Sequence, residues 1–108
     1  MNRKKLDNLR AEVDGWRRTQ AKCSDLQGLA RRIGLKPVKR GKEPTYECDD
    51  LPSIPPLTIP GHKGRDLARG TRNSVLDHLD NALDAWDAIV TEQEREAEQG
   101  LKNGPGRN

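Results

Sequence analysis

Apolar residues recur with a helical period at both ends of the chain and alternate like strand positions in between. Over residues 3–19, Leu6, Leu9, Val13 and Trp16 share one stripe, with Arg, Lys, Glu and Asp filling the rest. That spacing predicts an amphipathic helix. Gly15 weakens it by about 1 kcal/mol relative to Ala, and the pattern breaks around Thr19–Lys22. Ser24 is a good N-cap for a second helix carrying Leu26, Leu29, Ala30 and Ile33. Gly34 is placed to end that helix in the left-handed conformation.

Between residues 35 and 60 the pattern changes to short alternating runs. Leu35 to Arg40 reads as a first strand, held to a sheet edge by Pro37. Gly41-Lys42-Glu43-Pro44 reads as a turn and Thr45 to Cys48 as a second strand. Asp49 to Pro56 is a proline-rich loop, and Leu57-Thr58-Ile59 a short third strand. A glycine-rich, basic loop spans Gly61 to Gly70.

Thr71 is read as the N-cap of the last helix, on which Leu76, Leu79, Leu83, Trp86 and Val90 follow a 3-4-3-4 spacing. Residues 92–98 are acidic and read as solvated. Gly100 to Asn108 reads as a disordered tail. The expectation is a single α+β domain over residues 1–99. Its core is α-β-β-β-α, with an extra N-terminal helix and a long C-terminal one. Trp16 and Trp86 are expected to share a seam between the terminal helices, which could equally pair with a second copy as a homodimer.

Composition narrows the picture. Only 31% of the 108 residues are hydrophobic, and Trp16, Tyr46 and Trp86 are the only aromatics. So lean a core leaves little room for a buried small-molecule cavity. Cys23 and Cys48 lack metal-ligand spacing and are read as reduced thiols, with no metal and no cofactor. No apolar run approaches the ~20 residues of a membrane span, and the charged N-terminus lacks a signal-peptide apolar region. A cytoplasmic location is expected.

Charge is strongly segregated. Residues 1–72 hold 17 Lys/Arg and 9 Asp/Glu, net +8, whereas residues 73–108 hold 3 and 8, net −5. Arg31, Arg32, Lys36, Lys39, Arg40 and Lys42 are followed by Lys63, Arg65, Arg69 and Arg72. With free backbone N–H groups at the start of the last helix, this composes a phosphate-binding surface. Lys39, Arg40, Lys42, Lys63, Arg65 and Arg69 are its expected contacts. With Tyr46 as the only aromatic near the patch, stacking on several bases is not expected.

The order helix, Arg40-Gly41 hairpin, Leu57-Thr58-Ile59-Pro60, His62, Asp66-Leu67-x-x-Gly70-Thr71, helix resembles the HicA family of mRNA-cleaving toxins over roughly residues 25–80. The resemblance implies a fold like the double-stranded-RNA-binding domain (dsRBD-like), an mRNA interferase activity in a toxin–antitoxin pair, and a HicB-like antitoxin partner. The family's Gly-Ser-His motif supplies its catalytic histidine. Here Gly41 matches the glycine, Lys42 replaces the serine and Glu43 the histidine.

RNA cleavage needs one group to deprotonate the 2′-hydroxyl, another to protonate the leaving oxygen, and cations to steady the phosphorane. His62 has suitable chemistry near neutral pH. Glu43 is the second candidate, but neighbouring Lys39, Arg40 and Lys42 favour its ionised form. His78, between Asp77 and Asp80, reads as solvated. The sequence thus points to a HicA-like RNA-binding protein, a ribonuclease or one that has lost the reaction. The competing class is a non-enzymatic adaptor that associates through its acidic C-terminal helix, Leu79–Val90.

Overall fold

The structure, a computed structural model, describes residues 1–39, 44–60 and 65–102. Helix α1 (Arg3–Trp16) starts from Asn2, whose side-chain oxygen accepts the Lys5 N–H at 2.8 Å. It ends at Trp16, one residue beyond Gly15 and three short of the expected boundary. Helix α2 (Cys23–Ile33) begins two residues earlier than Ser24 as N-cap predicts, with Lys22 in the capping position. Its start is held by Asp25, whose carboxylate accepts the Lys22 N–H at 2.9 Å. At its other end Gly34 adopts φ 110°. Gly34 N–H then reaches the Arg31 carbonyl and Leu35 N–H the Ala30 carbonyl, both at 3.0 Å. This paired closure needs a residue without a Cβ penalty, as expected.

Strands β1 (Lys36–Lys39), β2 (Pro44–Glu47) and β3 (Leu57–Thr58) form an antiparallel sheet in the order β1-β2-β3. Pro37 lies on an edge strand and Pro44 opens the central one, places where a missing N–H is tolerated. Thr45 and Thr58 face each other across the β2–β3 pair, their hydroxyls 3.3 Å apart.

Helix α3 (Arg69–Lys102) is 34 residues long, about 50 Å at 1.5 Å per residue. Its first helical hydrogen bond runs from Arg72 N–H to the Ala68 carbonyl, so Ala68 holds the capping position and Thr71 lies inside the first turn. The start of α3 is set by tertiary ties: Leu67 N–H bonds the Ala21 carbonyl at 2.7 Å, and Lys22 pairs with Asp66. At the other end α3 continues to Lys102, past the expected start of the tail at Gly100; residues 103–108 lie outside the described residues.

The core is one cluster. Leu6, Leu9 and Val13 of α1 meet Leu76, Leu79, Leu83 and Ala82 of α3, with Leu26, Leu29 and Ile33 of α2 and Tyr46 of β2 beneath. The heptad seam of α3 is thus covered from within. Leu76, Leu79 and Leu83 are fully buried. Trp86 ties α3 to the end of α2. Its indole N–H donates to the Ile33 carbonyl at 2.7 Å, and its ring lies against Gly34. Both Trp16 and Trp86 are half-buried. Among the described residues no helix is long and apolar enough to cross a membrane.

Candidate phosphate-binding rim

Two chemically different surfaces flank α3. Along its length, α1 lays three arginines seven residues apart against a row of carboxylates. Arg3 contacts Asp87 at 2.9 Å and Glu94 at 2.8 Å; Arg10 contacts Asp84 at 2.9 Å and Asp87 at 3.2 Å; Arg17 contacts Asp77 at 2.8 Å and Asp80 at 2.6 Å. Hydrogen bonds from Arg3 hold the Asp87 and Glu94 carboxyls below their ordinary range. The arginines respond in kind. Bonds to Glu94 and Asp87 raise Arg3, and the bond to Asp80 raises Arg17. Partial burial pulls Arg10 down, but Asp84 and Asp87 outweigh it. Arg32 of α2 adds a two-point contact to Glu12 of α1 at 2.5 and 2.7 Å. Much of the acidic charge on α3 is therefore neutralised inside the molecule.

The rim at the α3 N-terminus is different. Arg65 and Arg69 are exposed and form no ion pair among the described residues, as do Arg31 at the end of α2 and Lys36 on β1. The backbone N–H groups of the first turn have no partner within the helix. Of the other expected phosphate contacts, Lys39 closes β1, while Arg40, Lys42 and Lys63 lie outside the described residues, as do the candidate catalytic residues His62 and Glu43. Tyr46 is 1% exposed, so it packs the core and offers no ring to a base.

A recess of about 330 Å³ opens on the sheet side of this turn, lined by Thr58, Pro60, Thr71, Ser74 and His78 among others. His78, read from sequence as solvated, is half-buried, with Nε2 2.8 Å from the Pro55 carbonyl. A carbonyl only accepts, so Nε2 donates and a neutral ring keeps Nδ1 as its free acceptor. Three hydroxyls and an imidazole thus share a groove beside a helix N-terminus, a grouping the sequence reading missed. The available signal was the spacing Thr71, Ser74, His78, which places all three on one helical face.

A second recess, of about 580 Å³, opens on the α1 side and is lined by Arg17, Arg18, Thr19, Gln20, Arg69 and Arg72. Arg72 is 8% exposed; its Nη2 donates to the Arg17 carbonyl at 3.3 Å, and its Nε is buried without a partner. Sequence reading took Arg72 for one more surface cation. No family model matches the chain, no curated protein is detectably similar to it, and no solved structure matches it.

Proposed function

We propose that this protein binds RNA through the phosphate backbone, using the basic rim around the N-terminus of α3. The supporting observation is the contrast in pairing: the carboxylates on the body of α3 are engaged by α1, whereas Arg65 and Arg69 form no ion pair among the described residues. A cationic rim beside free helix N–H groups recognises backbone and shape more than sequence.

In the HicA-like version of this reading, the bound strand is mRNA, and a HicB-like antitoxin covers the same face. Lys39, Arg40, Lys42 and Lys63 extend the contact surface, and His62 with Glu43 perform cleavage if it occurs. The competing reading, an adaptor associating through the acidic C-terminal helix Leu79–Val90, draws less support because Leu79, Leu83 and Val90 are buried within the chain.

The test is a titration of fluorescent single-stranded RNA at increasing salt. Affinity should fall steeply, with a slope of about 0.7 per phosphate neutralised. Arg40→Glu combined with Lys42→Glu, or Arg65→Glu alone, should weaken binding while leaving the fold intact. Salt-independent binding, or unchanged affinity in these variants, removes the proposal. Incubating wild type and His62→Ala with cellular mRNA separates cleavage from binding alone. Loss of cleavage in His62→Ala assigns the histidine; equal cleavage removes it from the reaction.

A further inference from the structure

We propose that the recess between the end of α1 and the start of α3, bounded by Arg17, Arg18, Thr19, Gln20, Arg69 and Arg72, is a binding site for a phosphate group. It goes beyond the RNA-surface reading and does not rest on it. Of its arginines only Arg69 belongs to the rim described above.

The argument begins with which arginines are already satisfied. Arg17 is engaged by Asp77 and Asp80, and Arg18 by Asp14 at 3.1 Å. Arg69 and Arg72 have no carboxylate partner among the described residues. For Arg69, exposed to water, this costs little. Arg72 is different, because a guanidinium carries five N–H donors and cannot shed its charge. Burying it at 8% exposure with Nε unpartnered is unfavourable unless something anionic completes the shell.

Its one hydrogen bond among the described residues, 3.3 Å to the Arg17 carbonyl, closes the C-terminal end of α1. A role limited to that cap needs one donor and no permanent charge. The surroundings fit an incoming anion. Arg69 and Arg72 lie in the first turn of α3, where the helix dipole favours negative charge. Thr19 and Gln20, both neutral and polar, complete the lining. Planar guanidinium forks match the oxygens of a phosphate in a way that ammonium groups do not.

Phosphate chemistry has two sources here: a free or terminal phosphate, and a phosphodiester of a bound strand. Inorganic pyrophosphate added to the full chain is the first probe, followed through the Arg Nε–Hε resonances. The Arg72 and Arg69 signals should move saturably. Arg69→Gln, an exposed substitution that keeps the fold, should weaken binding roughly tenfold, the equivalent of one charge-assisted hydrogen bond. Lys4→Gln, at the far end of α1, should bind as wild type does.

Single-stranded RNA is then added to the pyrophosphate-loaded protein. Release of pyrophosphate assigns the site to a phosphodiester; retention assigns it to a free phosphate. Shifts that never saturate, or equal weakening by Lys4→Gln and Arg69→Gln, mean a diffuse ionic atmosphere and overturn the site. Failure of pyrophosphate binding leaves the salt-dependent RNA titration free to succeed, so the two readings fail separately.

Discussion

Charges along the α1–α3 seam and charges at the α3 N-terminus belong to the same helix but are used in opposite ways. In the seam, Arg3, Arg10 and Arg17 each face carboxylates one position beyond an apolar residue of the heptad: Asp77 after Leu76, Asp80 after Leu79, Asp84 after Leu83, Asp87 after Trp86. At the N-terminus, Arg65 and Arg69 form no ion pair with any described residue. Net charge therefore says little about where a ligand docks. A row of paired charges orients two helices, and the cations left over mark the surface with something to bind.

The contrast can be broken most forcefully at the apolar layer. Leu79→Ala should destabilise the protein by about 3 kcal/mol, because the side chain is fully buried where α1 and α3 meet. Chemical denaturation measures this. A loss under about 1 kcal/mol would mean that α1 is not seated on α3.

A smaller effect is expected at Trp86. Trp86→Phe keeps most of the ring but removes the 2.7 Å bond to the Ile33 carbonyl, and should cost about 1 kcal/mol. The indole N–H should also be protected from exchange in wild type.

Acid probes the charged layer. The Asp87 and Glu94 carboxyls titrate below their unfolded values, so each stabilises the fold above the unfolded carboxylate range near 4 and loses that stabilisation as pH falls through its lower folded value. Thermal melts between pH 5 and pH 2 should show falling stability, reduced in Arg3→Gln. Both carboxylates are solvent-accessible, so the pH-dependent loss should be small and should shrink further in high salt.

The smallest stability effect belongs to the rim. Arg65→Gln with Arg69→Gln should change unfolding free energy by less than about 0.5 kcal/mol, because exposed and unpaired side chains hold nothing in place. A large destabilisation in that double variant would show these cations to be structural and erase the distinction drawn above.

How much was readable from sequence follows the same division. Local periodicity revealed both amphipathic helices, the Gly34 stop and the edge position of Pro37, since each depends on neighbours within a few residues. The arginine ladder was in plain view as Arg3, Arg10 and Arg17 against Asp77, Asp80, Asp84 and Asp87. Reading it required knowing that segments some seventy residues apart run antiparallel. Thr71 failed as a cap because the Leu67–Ala21 bond starts the helix three residues sooner than side-chain preference does. Arg72 and His78 looked like surface residues because their burial is imposed by the end of α1 and by the Pro55 loop, neither of which is adjacent in sequence.

The seven-residue ladder carries one further consequence. Slide α1 one heptad toward the C-terminus of α3 and Arg17 meets Asp84 and Asp87, Arg10 meets Glu94, and Arg3 nears Glu98. Coulomb attraction separates the two alignments only by six contacts against about four, like a vernier with a second, poorer match. What selects one is short-range: the shift would carry the fully buried Leu6 past Val90 to the charged end of α3, the six residues from Arg17 to Lys22 tether α1 to α2, and the Trp86 indole latches α3 to the end of α2. Lengthening that tether by a few glycines would leave the apolar layer to hold the alignment, and α1 should keep a single set of resonances.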